Sequence, residues 1–165
     1  MKRRLTLSVL LVALALPASA ADYYLTARYT STEDVGEMAA LVNGDSIRSG
    51  DGALKIADII NVNAADRVVT VFTTEIDCAA HAWRVTGQVD HRTDGFMAPQ
   101  RLTIAPQPLA PVPDSEPNRK TLDFVCAWPG GASGIQKFTE PSPEALSKKV
   151  SPMLKFFITA PPERG

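Results

Sequence analysis

The chain has 165 residues, with 17 basic and 18 acidic side chains and a formal net charge of −1. That length fits one domain able to bury a core of its own. Attachment to nucleic acid or to an anionic membrane surface calls for a dense basic patch, and outside the first few residues no such Lys/Arg run occurs.

Lys2, Arg3 and Arg4 form a positive start, Leu5 to Leu16 a short apolar run, and Pro17 with Ala18-Ser19-Ala20 the small-residue pattern of a cleavable export signal. The apolar run is shorter than the roughly 20 residues needed to cross a bilayer. Cleavage between Ala20 and Ala21 is expected, which divides the chain into a signal peptide over 1–20 and a single periplasmic or secreted domain over 21–165. No cysteine stands at the cleavage point or just after it, so no lipid anchor of that kind is expected, and no second apolar stretch suits a membrane span. The leader takes three of the 17 basic residues, leaving 14 against 18 acidic ones, a mildly acidic −4.

The first half of the domain predicts strands from short alternations of apolar and polar residues bounded by turn residues. Asp22 to Thr30 and Met38 to Asn43 are the first two, with turns at Asn43-Gly44 and across Arg48 to Gly52. Leu54, Ile56, Ile60 and Val62 share one face of a third strand, with Lys55, Ala57, Ile59 and Asn61 on the other. Asn63 to Asp66 turns the chain into a fourth, where Val68, Phe72 and Ile76 share a face. A fifth carries His81, Trp83, Val85 and Val89 on one side. Sequential strands joined by short turns predict an antiparallel meander of five to six strands.

Six prolines lie between residues 99 and 117, and proline cannot donate to a sheet ladder. Gln100 to Ile104 is a candidate edge strand, and Pro106 to Pro113 reads as an extended surface loop. Ser115 is placed to cap a short helix over Glu116 to Phe124, with Leu122 and Val125 inward. After a turn at Pro129-Gly130-Gly131, Ser142 and Pro143 start a C-terminal helix running to about residue 158. Its apolar face comprises Leu146, Val150, Met153, Leu154 and Phe157. Pro152 kinks or divides it, with Ser151 capping the second part. The fold class is therefore α+β, mainly antiparallel sheet.

Cys78 and Cys126 are the two cysteines, and in an oxidising compartment an isolated pair reads most simply as one disulfide. A redox or metal pair is the sharper alternative, but the spacing is far from Cys-x-x-Cys and no histidine cluster adjoins either thiol. His81 and His91, read as lying on one face of one strand, are separated by about 33 Å at full strand extension, too far to share a metal. Gly130-Gly131-Ala132-Ser133-Gly134 lacks the spacing of a serine-nucleophile elbow. Gly50-Asp51-Gly52 lacks the lysine of a phosphate loop. Glu75 and Asp77 point the same way along a strand, as an acid–base pair would, though surface charge is the commoner use of such residues. Trp83, Arg84 and Trp128 are candidate recognition anchors, with Trp83 equally suited to the core. No catalytic, cofactor-binding or metal-ligating set emerges.

Val42-Asn43-Gly44-Asp45-Ser46-Ile47 before a glycine turn and a long strand, Ile76-Asp77-Cys78 before another strand, and Val125-Cys126 after a short helix follow in a recognisable order. Together they resemble the surface-adhesin protein E family of exported bacterial proteins over about residues 23–128. The resemblance implies one antiparallel sheet with packed helices, a Cys78–Cys126 disulfide and no enzymatic activity. It also implies relatives that bind extracellular-matrix proteins at the cell surface. The function expected is thus a non-enzymatic envelope protein that binds extracellular or envelope proteins. A small periplasmic hydrolase or metal-dependent enzyme built around His81, His91 and Asp90 is one alternative, and a structural or chaperone-like envelope protein is the other.

Overall fold

The computed structural model describes residues 19–30, 36–64, 68–94 and 97–155. Most of the signal segment, Asp66 and the expected helical residue Phe157 lie outside them.

The chain forms an eight-stranded antiparallel sheet flanked by two helices. Five long strands make the expected meander: β1 (Ala21–Thr30), β2 (Glu37–Ser49), β3 (Leu54–Asn63), β4 (Val68–Asp77) and β5 (Ala82–Arg92). β6 (Gln100–Leu102) and β7 (Ala110–Pro111) both pair along the outer edge of β5. After helix α1 (Glu116–Ala127), β8 (Lys137–Glu140) pairs with β1 and closes the opposite edge, and α2 (Pro143–Val150) follows. Neither β7 nor β8 was foreseen from the sequence, since each is too short to show alternation. Asp22 binds β8 in place by accepting from Thr139 at 2.6 Å and Lys137 at 3.0 Å. Those two hydrogen bonds hold its carboxyl below the usual carboxylate range.

Both faces of the sheet carry a core, and the two faces expected of the third strand are the ones found. Ile60 and Val62 pack with Tyr23, Leu41, Val69, Phe138 and the α2 residues Leu146 and Val150. Ala57 and Ile59 face the other way, joining Val42, Ile76 and the α1 residues Leu122, Phe124 and Val125. Each fully buried aliphatic side chain contributes roughly 1.5–3 kcal/mol. Runs that are apolar on successive residues, such as Leu41-Val42 and Ile59-Ile60, are what a doubly covered strand requires.

Bulges re-aim the side chains. Thr73 pairs with Gly87 and Thr74 with Val85, so Thr86 is an extra residue in β5. Trp83 and Val85 therefore face α1, while Val89 and His91 face α2, not one shared side as the alternation suggested. In β1 the extra residue is Thr26. Its hydroxyl donates to the Ala40 carbonyl at 3.1 Å and hydrogen-bonds Thr121 of α1 at 2.8 Å. The expected turn at Asn43-Gly44 is instead the interior of β2, where the register with β3 shifts between Asn43 and Arg48. Gly44 is needed there for space: a Cβ would stand 2.7 Å from both Trp128 and Tyr24. The hairpin turn lies at residues 50–53, with Gly52 at φ +65°.

Ser115 caps α1 as expected, accepting from the Asn118 amide, and the helix continues past Phe124 to Ala127. Its C-terminal carbonyls are orphaned within the helix, and Lys55 takes them up. The Nζ of Lys55 donates to the carbonyls of Val125 (2.9 Å), Cys126 (3.0 Å) and Trp128 (3.4 Å). A Cys78–Cys126 disulfide, closing a separation of 48 residues, ties α1 to the end of β4. Ser142 caps α2, and that helix stops at Val150. Pro152 divides the expected long helix, so Ser151–Met153 is a 3-10 turn. Met153 is exposed there rather than part of the buried face.

Candidate binding site

α1 packs mainly over β1, β2 and β3 and reaches β4 at Ile76, leaving the stretch of that face around Phe72 and Val85 less covered. Where the first turns of α1 meet this less covered stretch there is a pocket of about 210 Å³. Its sheet-side wall is aromatic, from Tyr29 of β1, Phe72 of β4 and Trp83 of β5, with Ile59 and Val85 between. Pro117, Asn118 and Thr121 supply the helix side. Trp83 is partly buried here, so it serves the core and the pocket wall together. Small-molecule sites usually run to about 300–1,000 Å³. This pocket is the size of one large side chain.

The opposite face holds a polar cleft of about 420 Å³. Its floor is set by register. Tyr23, Asn43, Asp58, Thr73 and Gly87 are successive cross-strand partners from β1 to β5. The neighbouring row, Leu25, Leu41, Ile60, Val71 and Val89, is apolar throughout. Thr73 donates to Asp58 Oδ1 at 2.8 Å, and Asn43 spends its side-chain carbonyl on the Asp45 amide.

His91 closes the far end of this cleft. Its Nδ1 lies 2.8 Å from Oε1 of Glu144, the second residue of α2, and both side chains are mostly buried. Burial works to raise the Glu144 pKa, but hydrogen bonds from Ser142 and His91 outweigh it and leave the carboxyl below its ordinary value. An ionised carboxylate only accepts, so Nδ1 carries a proton and donates it to Glu144. Tyr23 feels the same surroundings. Desolvation first, and then the charges of Glu144, Asp45, Asp58 and Glu140, push its hydroxyl pKa up.

No family model, curated protein or solved structure matches this chain.

The residues singled out in the sequence are mostly dispersed. His81 sits in the turn before β5 with φ at 50°, exposed, while His91 is at the other end of that strand and faces α2. Asp90 hydrogen-bonds Thr70 and Gln88, so His81, His91 and Asp90 do not converge. Glu75 is ion-paired with Arg84 at 2.6 Å, and Asp77 accepts from the amides of Ala79 and Ala80, which separates that carboxylate pair into two structural roles. Arg84 is thereby turned away from Trp83, and Trp128 packs with Tyr24 and Phe124 at ring separations of 5.1 and 5.3 Å. The three do not form one patch. Ser133 is exposed beyond the Gly130–Ala132 turn. Among the described residues no three His, Cys, Asp or Glu side chains gather as a metal-binding group, and no helix is long and apolar enough to cross a membrane. Ala20 and Ala21 flank the start of β1.

The polar row and the His91–Glu144 pair escaped the sequence reading. Both depend on strand register and on a contact across 53 residues.

Proposed function

We propose that this chain is a non-enzymatic, exported envelope protein, periplasmic or secreted, that binds a partner protein by seating one of its large apolar side chains in the pocket beside α1. The observation that carries the reading is that aromatic pocket on a sheet face that α1 covers only in part. Its volume suits an anchor residue better than a free small molecule, and interfaces concentrate their energy in such buried anchors. Export is supported by the residues up to Ala20 and by a disulfide that an oxidising compartment would maintain. The resemblance to surface-adhesin protein E supports a binding role, although no ligand-contacting residue transfers from it. Strand addition is the less favoured mode of binding, because β6 and β7 line one sheet edge and the other ends in the four-residue β8.

The test is capture from envelope and extracellular fractions with the mature chain and with Phe72→Ala and Trp83→Ala variants. The reading expects a partner whose retention falls about tenfold or more in both variants, the scale of losing one anchor contact. Retention that ignores both substitutions, or a chain found in the cytoplasm with both cysteines reduced, would sink it.

A further inference from the structure

We propose that the cleft on the α2 face is a second binding site, one that takes a small organic cation: an ammonium head on the Tyr23–Asp58 row with its apolar body along Val71 and Val89. The cleft, at about 420 Å³, falls within the range of small-molecule sites.

Three observations set the chemistry. Tyr23 is only 4 % exposed, yet its hydroxyl takes no hydrogen bond among the described residues. No sealed, unpartnered side-chain polar atom occurs among them, so that hydroxyl opens into the cleft it lines. A buried polar group without a protein partner normally meets water or a ligand. Asp58 comes next in the same row but one, with Oδ1 satisfied by Thr73 and Oδ2 unpaired among the described residues. His91, its Nδ1 committed to Glu144, bounds the far end. The free groups are thus a carboxylate oxygen and a phenol, and the carboxylates of Asp45, Asp58, Glu140 and Glu144 all lie near enough to act on that phenol.

That set recognises N–H donors carrying positive charge. An anion would meet unpaired acceptors and like charge. The apolar row one step along the strands, about 6.7 Å away by strand rise, suits the hydrocarbon part of an alkylamine. Arg101 stands at the rim on β6, exposed to solvent. It distinguishes the ligand classes: a zwitterion or an anion would use it, and a simple cation would not.

The experiment is an amide-resolved NMR titration of the full chain with butylammonium, butanoate and butan-1-ol in parallel. Butylammonium is expected to move the resonances of Asn43, Asp58, Thr73 and His91 saturably, with the other two probes moving them little. Asp58→Asn should weaken that binding about tenfold or more, as loss of a charge-assisted bond does. Tyr23→Phe, which removes one oxygen and keeps the ring in the core, should weaken it less, and Arg101→Ala should leave it intact or tighter. Saturable binding of butanoate, loss of binding in Arg101→Ala, or a titration in which butylammonium leaves these four residues unmoved would overturn the proposal. If Asp58→Asn does not fold, unchanged affinity in a folded Tyr23→Phe variant overturns it instead.

Discussion

Replacing Gly44 by alanine puts a methyl group where aromatic carbon already stands. A Cβ there would lie 2.7 Å from Cη2 of Trp128 and 2.7 Å from Cε2 of Tyr24, well inside the roughly 3.5–4.0 Å of a good carbon contact. Neither ring has an easy retreat, because Phe124 packs on both, with centroids 5.2 and 5.3 Å away. Overpacking of this kind costs about 1–3 kcal/mol. Alanine returns about 0.5–1 kcal/mol by restricting the unfolded chain, so the net loss is about 0.5–2 kcal/mol. Urea unfolding of Gly44→Ala, Trp128→Leu and the double variant measures it. The cost should largely vanish in the Trp128→Leu background, because the smaller side chain leaves room for the methyl. A Gly44→Ala protein as stable as wild type, or a cost unchanged when Trp128 is gone, would refute the close-approach account of this glycine.

Lys55→Met should destabilise the protein by about 1.5–3 kcal/mol in the same assay, since it strips charged hydrogen bonds from the carbonyls ending α1. Replacing Cys78 and Cys126 together by serine should cost up to about 4 kcal/mol for a loop of this length, read as a lower thermal midpoint than oxidised wild type. The depressed Glu144 carboxyl makes stability pH-dependent. Its folded pKa lies below the ordinary 4.5, so its contribution is fully present above that value and is lost as pH falls through the folded one. The stability gap between wild type and Glu144→Gln should therefore be open at pH 7 and close in acid; a gap that widens on acidification contradicts the assignment.

Much of the fold was legible because its signals are local. Ser115 and Ser142 stand where N-caps belong, the five long strands alternate or run apolar, and the two cysteines leave one pairing. What the sequence hid is non-local. Thr26 and Thr86 are bulge residues only by virtue of their partners, and Thr86 alone reverses the faces assigned to Val85 and Val89. Asn43-Gly44 carries the composition of a hairpin turn, yet Trp128 and Tyr24 require that glycine in mid-strand. β8 has four residues, too few for a period to show, and earns its place through Asp22 and the burial of Phe138. The candidate sites were less legible still. Phe72 reads as an ordinary core residue until it is seen in the wall of the pocket beside α1. Tyr23, Asn43, Asp58 and Thr73 become a row only once the register is known.

The binding claim is tested most directly by a photo-reactive amino acid placed at position 72, in the pocket wall, with irradiation of intact cells expressing the chain. The account predicts a covalent adduct with one envelope or extracellular protein through a large apolar residue, formed by the mature chain beginning at Ala21 and absent when the reactive group is placed at exposed Gln107. Adducts equally abundant from both positions, or none from position 72, would contradict it.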